Sequence, residues 1–227
     1  MKSYVVTGAS SGIGECVART LLDRGDSVLL VARRAERLAA LAEGRPGAHA
    51  LPADLAERGA AARVAEEAKR ALGPLDGFVH CAGFAAPAPV GMIDEETLAK
   101  LFAVHASFPA VFLGKMARRD AHADGASAVL VSSRSARVAD PGNAAYAAAK
   151  GAAEGFFETA RVELAARGVR LEIARLSEVD TGMARTTWMR TASPERVAEI
   201  MARHPGGLPS ADDAAREIIG LLDGSCK

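Results

Sequence analysis

Short apolar runs alternate with longer stretches whose hydrophobic residues recur every three or four positions, from residue 3 to residue 174. The short runs lie at 3–7, 27–32, 48–51, 77–81, 126–132 and 169–174. They are too short for helices and are bounded by glycine, proline or polar residues, so they read as strands. The periodic stretches at 12–24, 35–43, 56–71, 95–120 and 143–166 read as amphipathic helices. This alternation predicts one α/β domain, a three-layer doubly wound parallel sheet of six strands. The rhythm stops after Ala174. An irregular stretch runs through Arg190, short helices follow at 194–203 and 211–222, and no seventh strand is predicted. The segment near 182–206, with Met183, Trp188 and Met189, predicts a cover over a ligand site.

Composition narrows the function classes. A length of 227 residues suits a single domain with a substantial core. Basic and acidic residues balance at 28 each, which gives no reason to expect nucleic acid or an anionic membrane as partner. Hydrophobic residues make up 49% but aromatics only 4%, so alanine must let the helices approach closely. The first strand starts at Ser3 and no 18-residue apolar run stands out, so neither a signal peptide nor a membrane span is expected, and the expected location is cytoplasmic. The cysteines, Cys16, Cys81 and Cys226, are odd in number and widely spaced; they show no disulfide or metal pattern.

Two stretches carry chemistry. Thr7-Gly-Ala-Ser-Ser-Gly-Ile-Gly14 follows the first strand and opens the first helix. Glycines there allow positive φ and close approach of a diphosphate to the positive helix end, making Gly8, Ser10, Ser11, Gly12, Ile13 and Gly14 candidate dinucleotide contacts. The second strand ends in Ala32-Arg33-Arg34, where a site for a free ribose 2′-hydroxyl would carry an acid. Guanidinium groups pair instead with a 2′-phosphate, so Arg33 and Arg34 predict NADP(H). The second stretch, Asn143-Ala-Ala-Tyr-Ala-Ala-Ala-Lys150, is alanine-rich and should be helical, with Tyr146 and Lys150 on one face. A lysine beside the phenol is expected to move the tyrosine pKa toward neutrality, fitting it for proton transfer at a carbonyl or alcohol.

Together these features resemble the short-chain dehydrogenase/reductase family, over about residues 2 to 183. The family's Thr-Gly-x-x-x-Gly-x-Gly loop stands at Thr7 to Gly14. Its adenine-contacting Asp matches Asp54 in Pro52-Ala-Asp-Leu55, and its Asn-Asn-Ala-Gly strand end appears as His80-Cys-Ala-Gly83. Its serine matches Ser133, thirteen residues before Tyr146. The resemblance implies a Rossmann-like fold and a carbonyl reductase, or the reverse reaction. Tyr146 would donate the proton, Ser133 would hold the substrate oxygen, and Lys150 would bond the nicotinamide ribose and lower the tyrosine pKa. It also implies cofactor contacts at Leu55, Ala82, Gly83, Tyr146, Lys150, Val179 and Thr181, and no metal. A homodimer through the helices at 95–120 and 143–166 is implied as well, with the small residues Ala145, Ala149, Ala152, Ala153 and Ala160 permitting close packing.

Departures from the pattern have their own readings. His105 stands at the family's helix asparagine, either as a packed substitute or as a titratable proton carrier. Cys81 replaces an asparagine that ties strands together, so a local loss of stability is expected. Leu176-Ser177 replaces Pro-Gly after the last strand. The substrate pocket is expected to use Phe84, Ala85, the 134–138 segment, Asn143, Met183 and Trp188, with Arg134 and Arg137 either binding an anionic tail or remaining solvated. Two other readings stay open: a cofactor-binding sensor or scaffold without turnover, and an NADP-using epimerase or dehydratase.

Overall fold

The computed structural model describes residues 1–187 and 192–225. Six parallel strands form one sheet in the order β3-β2-β1-β4-β5-β6. They are β1 Ser3–Thr7, β2 Ser27–Ala32, β3 Ala48–Pro52, β4 Leu75–His80, β5 His122–Ser133 and β6 Arg170–Leu176. Between them run α1 Gly12–Asp23, α2 Ala35–Ala42, α3 Ala60–Leu72, α4 Glu95–Phe102, α5 Phe108–Met116 and α6 Ala144–Ala165. Beyond β6 come α7 Gly182–Thr186, α8 Pro194–Ala202 and α9 Ala211–Asp223. No seventh strand occurs among the described residues. A single parallel bridge, Asp180 with Ser210, is what joins the segment after β6 to the start of α9.

Every central strand feeds two cores, because successive side chains alternate between faces. Val5, Leu29, Val31, Phe78, Ala128 and Leu130 point to the face covered by α3, α5 and α6. Tyr4, Val6, Val28, Leu30, Val79, Val129 and Val131 point to the other face, against α1 and α9. Both faces are buried, which is why these strands read as continuous apolar runs.

The predicted helix at 95–120 is not continuous. A π-turn over Ala103–Ser107 separates α4 from α5. Pro109 supplies the cause: it has no N–H to give the carbonyl of His105, four residues back, and its ring crowds that carbonyl. The span Glu95–Met116 also corrects the expectation of no long apolar run, since its best window reaches a mean hydropathy of 1.4, enough by length and composition to cross a membrane. Leu101, Phe108, Phe112, Leu113 and Met116 from it are buried in the protein's own core.

The helix predicted at 56–71 starts later, after Gly59 at φ +84°, because Asp54 first closes a turn by accepting the Ala56 N–H at 2.9 Å. The alanines expected to face a partner mostly point inward. Ala145, Ala149 and Ala153 are buried and Ala160 packs on the core, leaving only Ala152 exposed.

Candidate active site

The sheet order reverses direction between β1 and β4, and the crevice outside that switch point is where an open α/β sheet binds ligands. The turn after β1 is built for close approach. Gly8 has φ +72° and Gly12 φ +56°, conformations that favour glycine. A Cβ on Gly14 would lie 2.5 Å from the Gly8 carbonyl oxygen, and one on Gly8 would lie 2.8 Å from the Ala82 nitrogen. The loop, the start of α1 and the Ala82–Gly83 segment are therefore in mutual backbone contact. That cradle, at a helix N-terminus, fits a dinucleotide diphosphate. A Cβ on Gly12 would sit 3.6 Å from Thr181 Cγ2, so the segment after β6 lies against the same loop. Thr181 caps α7 by accepting the Ala184 N–H, and Val179 is buried.

Arg33 and Arg34 follow β2 and both are exposed. Arg34 folds over the loop, donating to Ser10 Oγ at 2.9 Å and Ser11 Oγ at 2.6 Å. Arg33 stays beside it at the strand end. Asp54 and Leu55 follow β3, with Leu55 buried.

Ser133, Tyr146 and Lys150 come together at the end of β5 and the start of α6. Lys150 is buried and donates to the Val131 carbonyl at 2.7 Å, with its Nζ 5.8 Å from the centre of the Tyr146 ring. Ser133 accepts the Ser135 N–H at 3.2 Å. Burial pushes the Tyr146 pKa up to about 12, and the Ser133 hydroxyl nearby only partly offsets this. The expectation of a tyrosine drawn toward neutrality is therefore corrected: burial dominates, and Lys150 directs its hydrogen bond to Val131. Burial likewise lowers the Lys150 pKa to about 8. A phenol that keeps its proton across the neutral range is equipped to donate it.

Of the two readings of His105 the structure favours the packed substitute, and it gives His80 a role the sequence did not suggest. His80 is fully buried between Thr7 Oγ1 at 2.9 Å and the Val104 carbonyl at 3.1 Å. The network assigns the tautomer: Nε2–H donates to Val104, Nδ1 accepts the Thr7 hydroxyl, and Thr7 accepts the Ala82 N–H at 3.2 Å. His80 thus ties β1, β4 and the π-turn. Burial lowers the His80 pKa to about 3 and raises that of the Cys81 thiol to about 12, which leaves both uncharged.

His105 lies in the π-turn with its ring edge-on to Tyr146, centroids 5.2 Å apart. Its Nε2 faces both the Phe84 carbonyl at 2.8 Å and the Phe84 N–H at 3.2 Å. One nitrogen serves one of these at a time, and the shorter contact favours Nε2–H donating to the carbonyl. His105 Nδ1 is left buried without a partner. Burial, then the Lys150 charge, hold its pKa well below the usual histidine range. The geometry makes His105 a clamp on the loop after β4, and a poor carrier of a charged proton.

Phe84, Ala86 and Tyr146 pack on one small apolar cluster of Leu101, Ala145 and Ala149, and Phe84 and Tyr146 both meet the His105 ring, which makes an apolar wall. Both arginines near the pocket are held by acids, Arg134 half-buried and Arg137 still exposed to solvent. Arg134 pairs with Asp140 at 3.0 Å and Glu178 at 3.2 Å, and Arg137 pairs with Glu154 and Glu158. Asn143 precedes α6 without capping it through its side chain, and Met183 is partly exposed on α7. Trp188 lies outside the described residues. Two buried groups escaped sequence reasoning, His80 and Glu154. For Glu154 the signal was present: a charge four residues after Lys150, on the face of the helix that turns inward.

Comparison with known proteins points the same way. The short chain dehydrogenase family model matches residues 2–191. A 2,3-dihydro-2,3-dihydroxybenzoate dehydrogenase of Bacillus subtilis is 31% identical, over 98% of this chain and 89% of its own. A short-chain oxidoreductase of Thermus thermophilus superposes with a TM-score of 0.76 at 39% identity, covering 98% of this chain and 96% of its own. A short chain dehydrogenase of Burkholderia cenocepacia, solved in complex with NADP, gives a TM-score of 0.85 at 27% identity, over 97% and 90%.

Proposed function

Because the chain belongs to the short-chain dehydrogenase/reductase family of nicotinamide-dependent oxidoreductases, we propose that it is an NADP(H)-dependent enzyme that reduces a ketone or aldehyde to an alcohol. The observation that carries this reading is the meeting of Ser133, a protonated Tyr146 and a buried Lys150 in front of the phosphate-loop cradle. When bound, the cofactor supplies the hydride. The chain's residues do the rest. Ser133 holds the substrate oxygen by hydrogen bond and stabilises its developing negative charge. Tyr146 gives that oxygen its proton. Lys150 holds a positive charge behind the tyrosine, and the wall of Phe84 and Ala86 excludes water. His105 keeps that wall in place.

The cofactor form follows from Arg33 and Arg34. Both are exposed where a carboxylate would repel a 2′-phosphate. Arg33→Ala should weaken NADPH by about tenfold or more, the worth of roughly one charge-assisted hydrogen bond, with little effect on NADH. Fluorescence titration of both cofactors measures this, and equal losses would sink the assignment. The activity itself is tested by NADPH oxidation against a panel of ketones and aldehydes.

We also propose a homodimer through the outer faces of α5 and α6. Val111, Phe156 and Val162 are exposed there, around a shallow depression lined by Gly155, Glu158, Thr159, Val162 and Glu163. Support for the interface comes from the three exposed apolar side chains taken together, with Val162 the most open at 77%. Val162→Asp should yield a folded monomer in sedimentation velocity. An unchanged sedimentation coefficient would count against this interface.

A further inference from the structure

Glu154 lies on α6, one turn beyond Lys150 and on the same face, with its side chain 1% exposed. Its Oε2 accepts from Arg137 Nε at 2.8 Å and from Arg175 Nε at 3.0 Å. The two guanidiniums also reach Glu158 Oε1, each at 2.6 Å. Arg137 follows β5 and Arg175 sits in β6, so the carboxylate is braced from two separate elements. Its other oxygen, Oε1, is buried without a well-formed hydrogen bond, and so is the Ser132 hydroxyl beside it. Ser132 stands between Val131, whose carbonyl accepts the Lys150 bond, and Ser133.

The pairs with Arg137 and Arg175 brace two elements, and the same buried carboxylate also brings a charge to within one helical turn of Lys150. Burying a carboxylate carries a desolvation cost that an apolar side chain of similar size avoids, and here one oxygen also goes without a good partner. What the carboxylate supplies is a negative charge behind the site. We propose that Glu154 is a positioning residue for the reaction: braced by Arg137 and Arg175, it keeps Lys150 cationic and seats it against the end of β5. Beyond the reading above, this assigns a role to a residue that touches neither substrate nor cofactor.

The other groups facing Lys150 cannot take that role. Cys81, at the end of β4, is an uncharged thiol. His80 in β4 and His105 in the π-turn are held neutral by burial, and Tyr146 on α6 keeps its proton. Burial alone tends to raise the Glu154 pKa. The nearby Ser132 hydroxyl and the hydrogen bonds from Arg137 and Arg175 overcome that and hold it below the usual carboxylate range. Burial lowers Lys150, and the charges of Cys81 and Glu154 act to raise it; at neutral pH only Glu154 is charged.

The test is a pH titration of Lys150 by NMR of protein labelled with carbon-13 at lysine Cε, its signal assigned by its loss in Lys150→Arg. The wild type should titrate near about 8. In Glu154→Gln the midpoint should fall by about one unit, the usual effect of removing one nearby opposite charge. Glu154→Asp should recover most of the shift. The basic limb of the kcat–pH profile should move to lower pH in parallel, a readout that depends on the reductase reading. The NMR titration needs no substrate, so a protein without turnover leaves it intact. A folded Glu154→Gln protein whose Lys150 titrates like wild type overturns the proposal. If the glutamine variant does not fold, Glu154→Met removes the charge together with the need for hydrogen bonds, and the same fall is expected. Failure of both to fold would make Glu154 a structural prop and overturn the proposal too.

Discussion

Replacing Tyr146 by phenylalanine is expected to lower kcat by about 10²–10⁴-fold, the range spanned by loss of one positioned proton donor. That is about 3–5 kcal/mol of transition-state stabilisation. The fold should survive, because the ring sits edge-on to His105 and on the apolar cluster of Leu101, Ala145 and Ala149, and phenylalanine keeps those contacts. NADPH affinity should change little, since the hydroxyl lies toward Ser133. A fall in kcat with intact cofactor binding is therefore the signature, measured by steady-state kinetics beside a direct binding titration. Equal turnover in the two proteins would remove Tyr146 from the chemistry. A simple loss of folding would show as lost NADPH binding.

Gly8→Ala is expected to be the most damaging change of one methyl group. Two costs add. A residue with a Cβ at φ +72° gives up about 1–2 kcal/mol in the left-handed region. The new methyl would also meet Ala82 N at 2.8 Å, with Ala82 Cα and the Cys81 carbonyl carbon at 2.9 Å. These are backbone atoms of a buried strand end and cannot rotate away, which adds about 1–3 kcal/mol. The sum is a sizeable share of a typical stability of about 5–15 kcal/mol. The melting temperature should fall by about 4–20 °C, and NADPH binding should drop below detection as the cradle opens. Gly25→Ala separates the two terms. Gly25 has φ +82° but nothing within 4 Å of its Cβ position, so this change bears the conformational cost alone. Equal melting shifts in the two variants would mean that the close approach of the loop to Ala82 is not real.

How far the sequence could be read differs from place to place, for physical reasons. Strands β1 and β2 lie where the pattern put them, because both faces are buried and the boundaries are sharp changes of polarity. Strands β5 and β6 extend beyond their apolar runs, since backbone pairing continues through Ser132 and Ser133 opposite Arg175 and Leu176. Polar side chains do not end a ladder. The break between α4 and α5 had a visible cause in Pro109, but its consequence, a π-turn aimed at the site, depends on packing against the sheet. Ser133, Tyr146 and Lys150 were found by type and spacing and do converge.

What spacing could not give was the electrostatics. Whether Lys150 would depress the tyrosine or turn to Val131 is set by burial, a property of the folded chain. The same holds for Arg134 and Arg137. As letters they read as anion receptors or as solvated side chains; their acidic partners come from segments 6 to 44 residues away. His80, too, looked like a departure from the family strand end, and the fold uses it as a three-way tie.

The central claim is that this chain moves a hydride between NADP(H) and a carbonyl, with Tyr146 supplying the proton. The most direct measurement uses NADPH carrying deuterium at the transferable C4 position, incubated with the purified protein and each ketone or aldehyde that oxidises it. Mass spectrometry of the alcohol should show one deuterium on the former carbonyl carbon, formed by the wild type and lost with Tyr146→Phe. Tight NADPH binding without deuterium in any product across the panel would contradict the account, and would leave a cofactor-binding sensor in its place.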